Sequence, residues 1–159
     1  MSTSQNICIA SAIITDEYGR CLLVRKRGTT HFIQPGGKME PDEIPVVALM
    51  RELQEELNLN LTGQDFSYVG RFTDKAINEP GRVVIAEIYH SVLTASDIQP
   101  AAEIEEVIWY PTDGSESLLL APLTENHLMP LVAMLHQNYS ESLREGDKGN
   151  ESAMTVNSN

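Results

Sequence analysis

Three glutamates, Glu52, Glu55 and Glu56, are the residues whose type and spacing point most directly to chemistry. At positions i, i+3 and i+4 of a helix, their carboxylates would share an arc of about 100°. Like charges at this spacing repel one another, and each pair costs an isolated helix roughly a few tenths of a kcal/mol. A hard divalent cation with oxygen ligands would offset this repulsion directly. The alternative is a solvated acidic face, which runs of charge usually form.

A helix over residues 44–57 would position these carboxylates. Its apolar residues fall on a separate arc of about 100° and predict a buried face: they are Val46, Leu49, Met50, Leu53 and Leu57. Pro45 is tolerated in a first helical turn, and Asn58 is a common residue where a helix ends in the left-handed conformation. Before the helix, Gly36 and Gly37 allow a loop to pass close to both ligand and helix.

The complete spacing across residues 36–59, called the box below, closely resembles the signature of the Nudix hydrolases. The matching positions are Gly37, Glu43, Arg51, Glu52, Leu53, Glu55 and Glu56. The one departure is Asn58, where the family usually has glycine. Because asparagine also tolerates the left-handed conformation, we expect a small change in stability and intact chemistry. The resemblance covers residues 7–138 loosely and implies the Nudix α/β/α sandwich, an α/β fold with a mixed β-sheet.

The resemblance also implies a metal site. Glu55 and Glu56 are the expected ligands of Mg²⁺, with Mn²⁺ as the alternative metal. Glu52 is either a further ligand or the general base. Gly37 and its loop carbonyls are expected to add one oxygen ligand, and the metal would keep several waters and bridge to a substrate phosphate.

Supporting roles follow from the same resemblance. Arg51, four residues before Glu55, would orient that carboxylate and is counted with the catalytic residues. Glu43 would hold the loop against the helix. Gly36 and Gly37, in the loop itself, are expected to lie against the substrate.

A carboxylate outside the box is expected to complete the site as general base, because a carboxylate coordinated to a cation has its lone pairs engaged. Relatives often place an additional glutamate in a loop between the late strands, and residues 101–106 (AAEIEE) occupy that region. If a strand begins near Ile104, Glu103 lies in the loop before it, free to swing toward the metal. The alternatives are a solvated acidic turn at Glu103 and Glu52 as the base.

The strand predicted over residues 21–27 carries basic residues that lead toward the glycine loop. Alternation places Arg25 and Arg27 on one side and Lys26 on the other. We predict that Arg25 and Arg27 contact phosphate; the alternative is a solvated strand end. The connection over residues 74–81 is predicted to be a turn. The alternative is that it forms one lip of a substrate cleft through Lys75, Asn78 or Arg82.

Strands mixed with two helices predict an α/β fold. The other predicted strands cover residues 7–15, 66–73 and 82–92, and one begins near 104; the second helix covers 124–138. One Nudix hydrolase domain is therefore expected over residues 1–139. Residues 140–159 lack apolar periodicity and predict a flexible polar tail.

Composition excludes some partners. The chain has 159 residues, enough for one domain with a real core, and a net charge of −12. That charge argues against a nucleic-acid polymer or an anionic membrane as partner, but not against a small polyphosphate. Cys8 and Cys21 lie in apolar runs and indicate no disulfide framework. Without a visible signal peptide or a run of transmembrane length, a cytoplasmic protein is expected; a homodimer is left open.

Function at this stage follows from the resemblance. It implies metal-dependent hydrolysis of a diphosphate linkage in a nucleoside diphosphate derivative, by attack of water on phosphorus. Some Nudix subgroups have a proline or tyrosine shortly after the box, associated with ADP-ribose or dinucleoside polyphosphates, and none lies in the corresponding stretches here. Nucleoside triphosphates, including oxidised ones, are therefore the favoured substrates. The alternatives are a non-catalytic Nudix-fold module that senses a nucleotide and an acidic scaffold domain.

Overall fold

The computed structural model describes residues 6–157 except 78, 95–97 and 102, with only the backbone beyond Arg144. Its strands are β1 (Asn6–Thr15), β2 (Cys21–Lys26), β3 (Gly36–Lys38), β4 (Ser67–Lys75), β5 (Val83–Val92) and β6 (Ile104–Tyr110). Its helices are α1 (Pro45–Leu57) and α2 (Met129–Asn157). A 3-10 turn lies at Gly63–Asp65, and a π-helical turn at Thr124–Leu128 precedes α2.

The strands form one mixed sheet in the order β4-β5-β1-β2-β6. The central pair, β1 and β5, is parallel over its whole length, and the other strand pairs are antiparallel. On the edge of β1 opposite β5, β3 pairs with Ile9–Ser11 and β2 pairs at Thr15. The predicted α/β fold with a mixed sheet is therefore confirmed.

Each face of the sheet is covered by one helix. On β1, Ala10, Ala12 and Ile14 pack with the buried leucines of α1, while Ile13 belongs to a second cluster that includes Val132 of α2. Successive side chains of a strand point to opposite faces, so β1 supplies both cores. This is why residues 7–14 of β1 are apolar except Ser11, rather than alternating with polar residues.

Helix α1 begins and ends almost where the sequence predicts. Ile44 has an extended backbone and precedes Pro45 in the first turn. Asn58 adopts the left-handed conformation (φ 56°, ψ 34°), and its N–H donates to the carbonyl of Gln54 at 3.1 Å. On the face predicted to be buried, Leu53 and its neighbours one turn away, Leu49 and Leu57, are fully buried.

Strand β3 is the element that the sequence does not predict, because Gly36 and Gly37 suggested only a loop. A Cβ atom on Gly36 would collide with the carbonyl oxygen of Ala10 and with Ser11, and its φ of 138° suits only glycine. The glycine therefore lets the chain pair closely with β1. This pairing fixes the position of Gly37 beneath α1.

Helix α2 is longer than predicted, reaching Asn157, and it includes most of the segment 140–159 expected to be a tail. Its backbone there is helical, and the flexibility of this segment relative to the domain stays a prediction. Among the described residues, no helix is both long and apolar enough to cross a membrane.

Candidate functional site

The glycine strand β3 packs directly on the glutamate face of α1. A Cβ atom on Gly37 would overlap the carboxylate of Glu52, so a larger residue here would push that carboxylate aside. The backbone N–H of Gly36 donates to Oε1 of Glu56 at 3.3 Å. Two of the three clustered glutamates of α1, Glu52 and Glu56, are therefore held against the backbone of β3.

Arg51 joins the loop before α1 to the glutamate face. Its guanidinium makes two hydrogen bonds of 2.9 Å to Glu43 and one of 3.0 Å to Glu52, and it lies 3.7 Å from Glu55. It also donates to the carbonyl of Lys38 at 3.2 Å. The hydrogen bonds from Arg51 lower the pKa of Glu43 to about 2. Arg51 is thus oriented chiefly by Glu43 and acts more closely on Glu52 than on Glu55.

Glu56 is the buried carboxylate of the site, with 3% of its surface exposed. Burial raises its pKa to about 7, and the nearby charges of Glu52 and Glu103 add to this, whereas Lys26 and the Gly36 N–H oppose it. Its second oxygen, Oε2, is buried without a hydrogen-bond partner. A buried, unpartnered carboxylate oxygen is costly unless a positive charge reaches it.

These residues fit a hard divalent cation. All the charged groups on this face of α1 that could bind metal are carboxylates, and Glu55 lies half exposed beside the buried Glu56. Within the described part of the chain, no three His, Cys, Asp or Glu side chains already converge at metal-binding distances. Mg²⁺ does not require this, because it keeps several waters and takes one or two carboxylates. The ligand roles of Glu52, Glu55, Glu56 and the Gly37 carbonyl stay predictions.

Glu103 lies at the turn before β6, where the sequence placed it. Its carbonyl accepts a hydrogen bond of 2.7 Å from the N–H of Arg27, which ties its backbone to the end of β2. Its side chain is 61% exposed and lies 3.5 Å from Nζ of Lys26. The backbone is therefore held and only the side chain is free to rotate toward Glu56.

The segment before Glu103 is also tied to the end of α1. The side-chain amide of Asn58 donates to the carbonyl of Gln99 at 2.8 Å. The N–H of Gln99 donates to Leu57 at 3.1 Å, and the N–H of Ala101 donates to the carbonyl of Glu56 at 2.9 Å. Glycine at position 58 could cap the helix equally well but could not make the side-chain contact. The departure at Asn58 predicted only a small change in stability, and no local pattern indicated this contact.

The two arginines predicted to contact phosphate have carboxylate partners in the protein. Arg25 donates to Glu106 at 2.6 and 2.9 Å and to the carbonyl of Thr29 at 2.8 Å. Arg27 is 71% exposed and lies 3.3 Å from Glu105. Contact of Arg25 and Arg27 with phosphate stays a prediction.

A cavity of about 180 Å³ is connected to this site through Lys26, which lines the cavity and pairs with Glu103. Its apolar lining comes from Ile7, Ile9, Ile33, Val84, Ala121 and Leu123, and its polar lining includes Lys26, Gln34, Lys75, Glu79 and Thr124. The predicted lip residue Lys75 thus borders the cavity. Arg82 lies 3.0 Å from Glu79, and Asn78 lies outside the described residues. No local pattern indicated the cavity, because its walls come from separate segments.

Two buried polar side chains lie together in the cavity wall. The hydroxyl of Thr124 donates to Oε1 of Gln34 at 2.6 Å, and the amide Nε2 of Gln34 donates to the hydroxyl of Ser11 at 3.3 Å. The Gln34 amide is therefore fixed in orientation. A fixed amide in an apolar wall is the kind of group that orients a heterocyclic ligand.

Known proteins resemble this chain in sequence and in structure. The model of the NUDIX domain matches residues 8–131. An 8-oxo-dGTP diphosphatase from Proteus vulgaris is 33% identical over 66 residues, which are 39% of this chain and 59% of that relative. The chain therefore aligns with less than two thirds of that relative's length.

Solved structures match over more of the chain. The solution structure of the E. coli ORF135 protein has a TM-score of 0.61 and 28% identity, covering 84% of this chain and 90% of that protein. The crystal structure of a MutT protein from Methanosarcina mazei has a TM-score of 0.64 and 22% identity, covering 84% and 95%. The second match, at its lower identity, shows that the two chains share a fold.

Replacing Glu56 with glutamine should stabilise the metal-free protein at pH 8. The pKa of Glu56 in the folded state, about 7, lies above its ordinary value of 4.5. The protonated carboxyl therefore stabilises the fold fully below pH 4.5, and this stabilisation is lost as the pH rises through 7. The loss amounts to about 3 kcal/mol. Denaturant unfolding in EDTA should show Glu56→Gln more stable than the parent at pH 8 and not at pH 4.5. Saturating Mg²⁺ should stabilise the parent more than the variant; equal stabilisation would contradict the metal assignment of Glu56.

Replacing Asn58 with glycine should loosen the segment that precedes Glu103. The left-handed cap is retained, so the free energy of unfolding should change by no more than about 1 kcal/mol. Hydrogen exchange at the N–H groups of Gln99 and Ala101 should become faster, while the amides of residues 108–110 in β6 serve as the internal control. Unchanged exchange at Gln99 and Ala101 would show that the Asn58 amide does not hold this segment.

Proposed function

This chain belongs to the NUDIX family, and from this premise we propose that it is a nucleotide pyrophosphohydrolase that uses Mg²⁺ or Mn²⁺. The proposal is carried by one juxtaposition: Lys26 lines a largely apolar cavity and also lies near the carboxylates of the site. Lys26 lines the cavity, lies 3.5 Å from Glu103, and electrostatically opposes the raised pKa of Glu56. A nucleotide needs these two environments side by side, one for its base and one for its phosphates.

The residues divide the work of hydrolysis among them. Glu52, Glu55, Glu56 and the Gly37 carbonyl would hold the cation, which when bound neutralises charge on the phosphate oxygens and assists attack by water. Arg51 keeps Glu52 oriented through its hydrogen bond of 3.0 Å.

Glu103 would act on the attacking water. Its carboxylate takes a proton from the water as the water oxygen bonds to phosphorus, and the bridging P–O bond breaks with its electron pair on the leaving phosphate. Its turn is tied to β2 by the 2.7 Å hydrogen bond from Arg27 N–H, so that only the carboxylate has to move. A coordinated carboxylate would be less available for this step, which favours Glu103 over Glu52.

We place a nucleoside triphosphate, including an oxidised one, in the site. The relative from Proteus vulgaris is called an 8-oxo-dGTP diphosphatase. In this chain the cavity presents the fixed Gln34 amide, supported by Thr124 and Ser11, among apolar side chains. Such an amide offers both a donor and an acceptor to the edge of a base.

A substrate screen tests the proposal. Purified protein should be incubated with canonical and oxidised nucleoside triphosphates, nucleotide sugars and dinucleoside polyphosphates, and the phosphate products should be quantified. We expect turnover of a triphosphate with Mg²⁺ or Mn²⁺, none in excess EDTA, and none with Glu55→Gln. Full activity in EDTA would refute the metal requirement, and nucleotide binding without any turnover would favour a sensing module.

Glu103→Gln should lower kcat by about 10²–10⁴-fold, because it removes the proton acceptor and leaves the box intact. The affinity for Mg²⁺, measured by calorimetry, should stay near that of the parent. Glu105→Gln is the matched control, since Glu105 is two residues away and pairs with Arg27.

The control series also identifies the base if Glu103 is not it. Loss of activity in Glu105→Gln or Glu106→Gln, with Glu103→Gln fully active, would mean that a different carboxylate of this segment is the base. Full activity in all three variants would place the base within the box, at Glu52.

A further inference from the structure

Lys26 is the basic residue of β2 that both lines the cavity and pairs with Glu103. It ends the strand, at an irregularity in the pairing of β2 with β6 between Arg25 and Lys26. Its side chain is 33% exposed, lines the cavity and reaches within 3.5 Å of Glu103. Strand alternation places it on the side away from Arg25 and Arg27, and its ion-pair partner differs from theirs.

The two neighbouring arginines are already engaged. The guanidinium of Arg25 donates hydrogen bonds to Glu106 and to the carbonyl of Thr29. Arg27 points toward Glu105 at 3.3 Å and is 71% exposed. Lys26, by contrast, has a single ion-pair contact, a long one, in the part of the chain that the structure describes. Its ammonium carries three donors and can accept a further anion.

We infer that Lys26 binds the substrate phosphate nearest the nucleoside, and that this phosphate displaces the carboxylate of Glu103 from Lys26. The inference rests on the proposed function, which supplies the nucleotide. The position of Lys26 supports it, because one ammonium borders both the cavity and the turn that carries Glu103. A phosphate extending from a base in the cavity would meet Lys26 on its way to the carboxylates of α1.

The exchange of partners requires little structural change. The backbone on both sides is fixed, since Lys26 pairs with Ile104 across the sheet and the N–H of Arg27 donates to Glu103. Only the Glu103 side chain, which is 61% exposed, has to rotate. The ion pair is also readily broken, because exposed pairs of this kind contribute little to stability. Arrival of the phosphate would therefore release the Glu103 carboxylate for the attacking water.

Binding of a nucleotide without turnover provides the first test. The probes are the four deoxynucleoside monophosphates dAMP, dCMP, dGMP and dTMP, titrated by calorimetry in EDTA. Lys26→Gln should weaken binding of the best of them by about tenfold or more, because a charge-assisted hydrogen bond is lost. Lys26→Arg should restore binding toward that of the parent. Arg20→Gln is the charge-matched control, since Arg20 precedes β2 at its opposite end and pairs with Asp16.

A double-mutant cycle tests the competition. Glu103→Gln should tighten binding of the same monophosphate, because it frees Lys26, and this gain should disappear in the Lys26→Gln background. Glu105→Gln removes an equal charge from the same segment and should leave binding unchanged. Equal gains from Glu103→Gln with and without Lys26 would overturn the exchange. Unchanged binding in Lys26→Gln, or no binding of any of the four probes to the parent, would overturn the assignment of Lys26.

Turnover separates this inference from the proposed function. With the triphosphate that the screen identifies, Lys26→Gln should raise KM more than it lowers kcat. Turnover by the parent together with unaffected kinetics in Lys26→Gln would refute the role of Lys26 and leave the proposed function standing. Lys26-dependent binding of a monophosphate without turnover of any substrate would refute the proposed function and leave the binding role standing.

Discussion

The close packing of the glycine strand against the glutamate face of α1 is the constraint on which the site depends. A side chain at Gly37 would occupy the space of the Glu52 carboxylate, and one at Gly36 would collide with β1. The same approach brings the Gly36 N–H to Glu56 and the carbonyl of Lys38 to Arg51. The sheet, the loop and the helix are thus held together through the residues proposed to act on the substrate.

The electrostatics of this arrangement favour ligand binding over the stability of the free protein. Glu56 is buried with one unpartnered oxygen and a pKa raised to about 7, beside the like charge of Glu52. Arg51 offsets part of the repulsion, but its best hydrogen bonds go to Glu43. The remaining negative potential is suited to a cation. Arg51 contacts Glu43, Glu52 and Glu55, whereas the raised pKa of Glu56 is opposed in part by Lys26 and the Gly36 N–H.

A second set of contacts joins the end of α1 to the turn before β6. Asn58 and Gln99, together with the backbone bond from Ala101 to Glu56, hold this connection next to the buried carboxylate. The bond from Arg27 to Glu103 then ties the same connection to β2. These contacts therefore connect α1, which carries the carboxylates, with β2, which carries Lys26, although the two elements are distant in sequence.

The sequence by itself determined the family, the α/β class, and the position and ends of α1, because helical periodicity, the proline start and the left-handed stop are properties of neighbouring residues. It also predicted that Glu103 lies in the loop before β6. Only the tertiary structure decided that Gly36 pairs as a strand, that Asn58 reaches Gln99, and that Lys26 rather than its arginine neighbours borders the cavity. These features depend on contacts between residues far apart along the chain. Periodicity within one segment carries no information about such contacts.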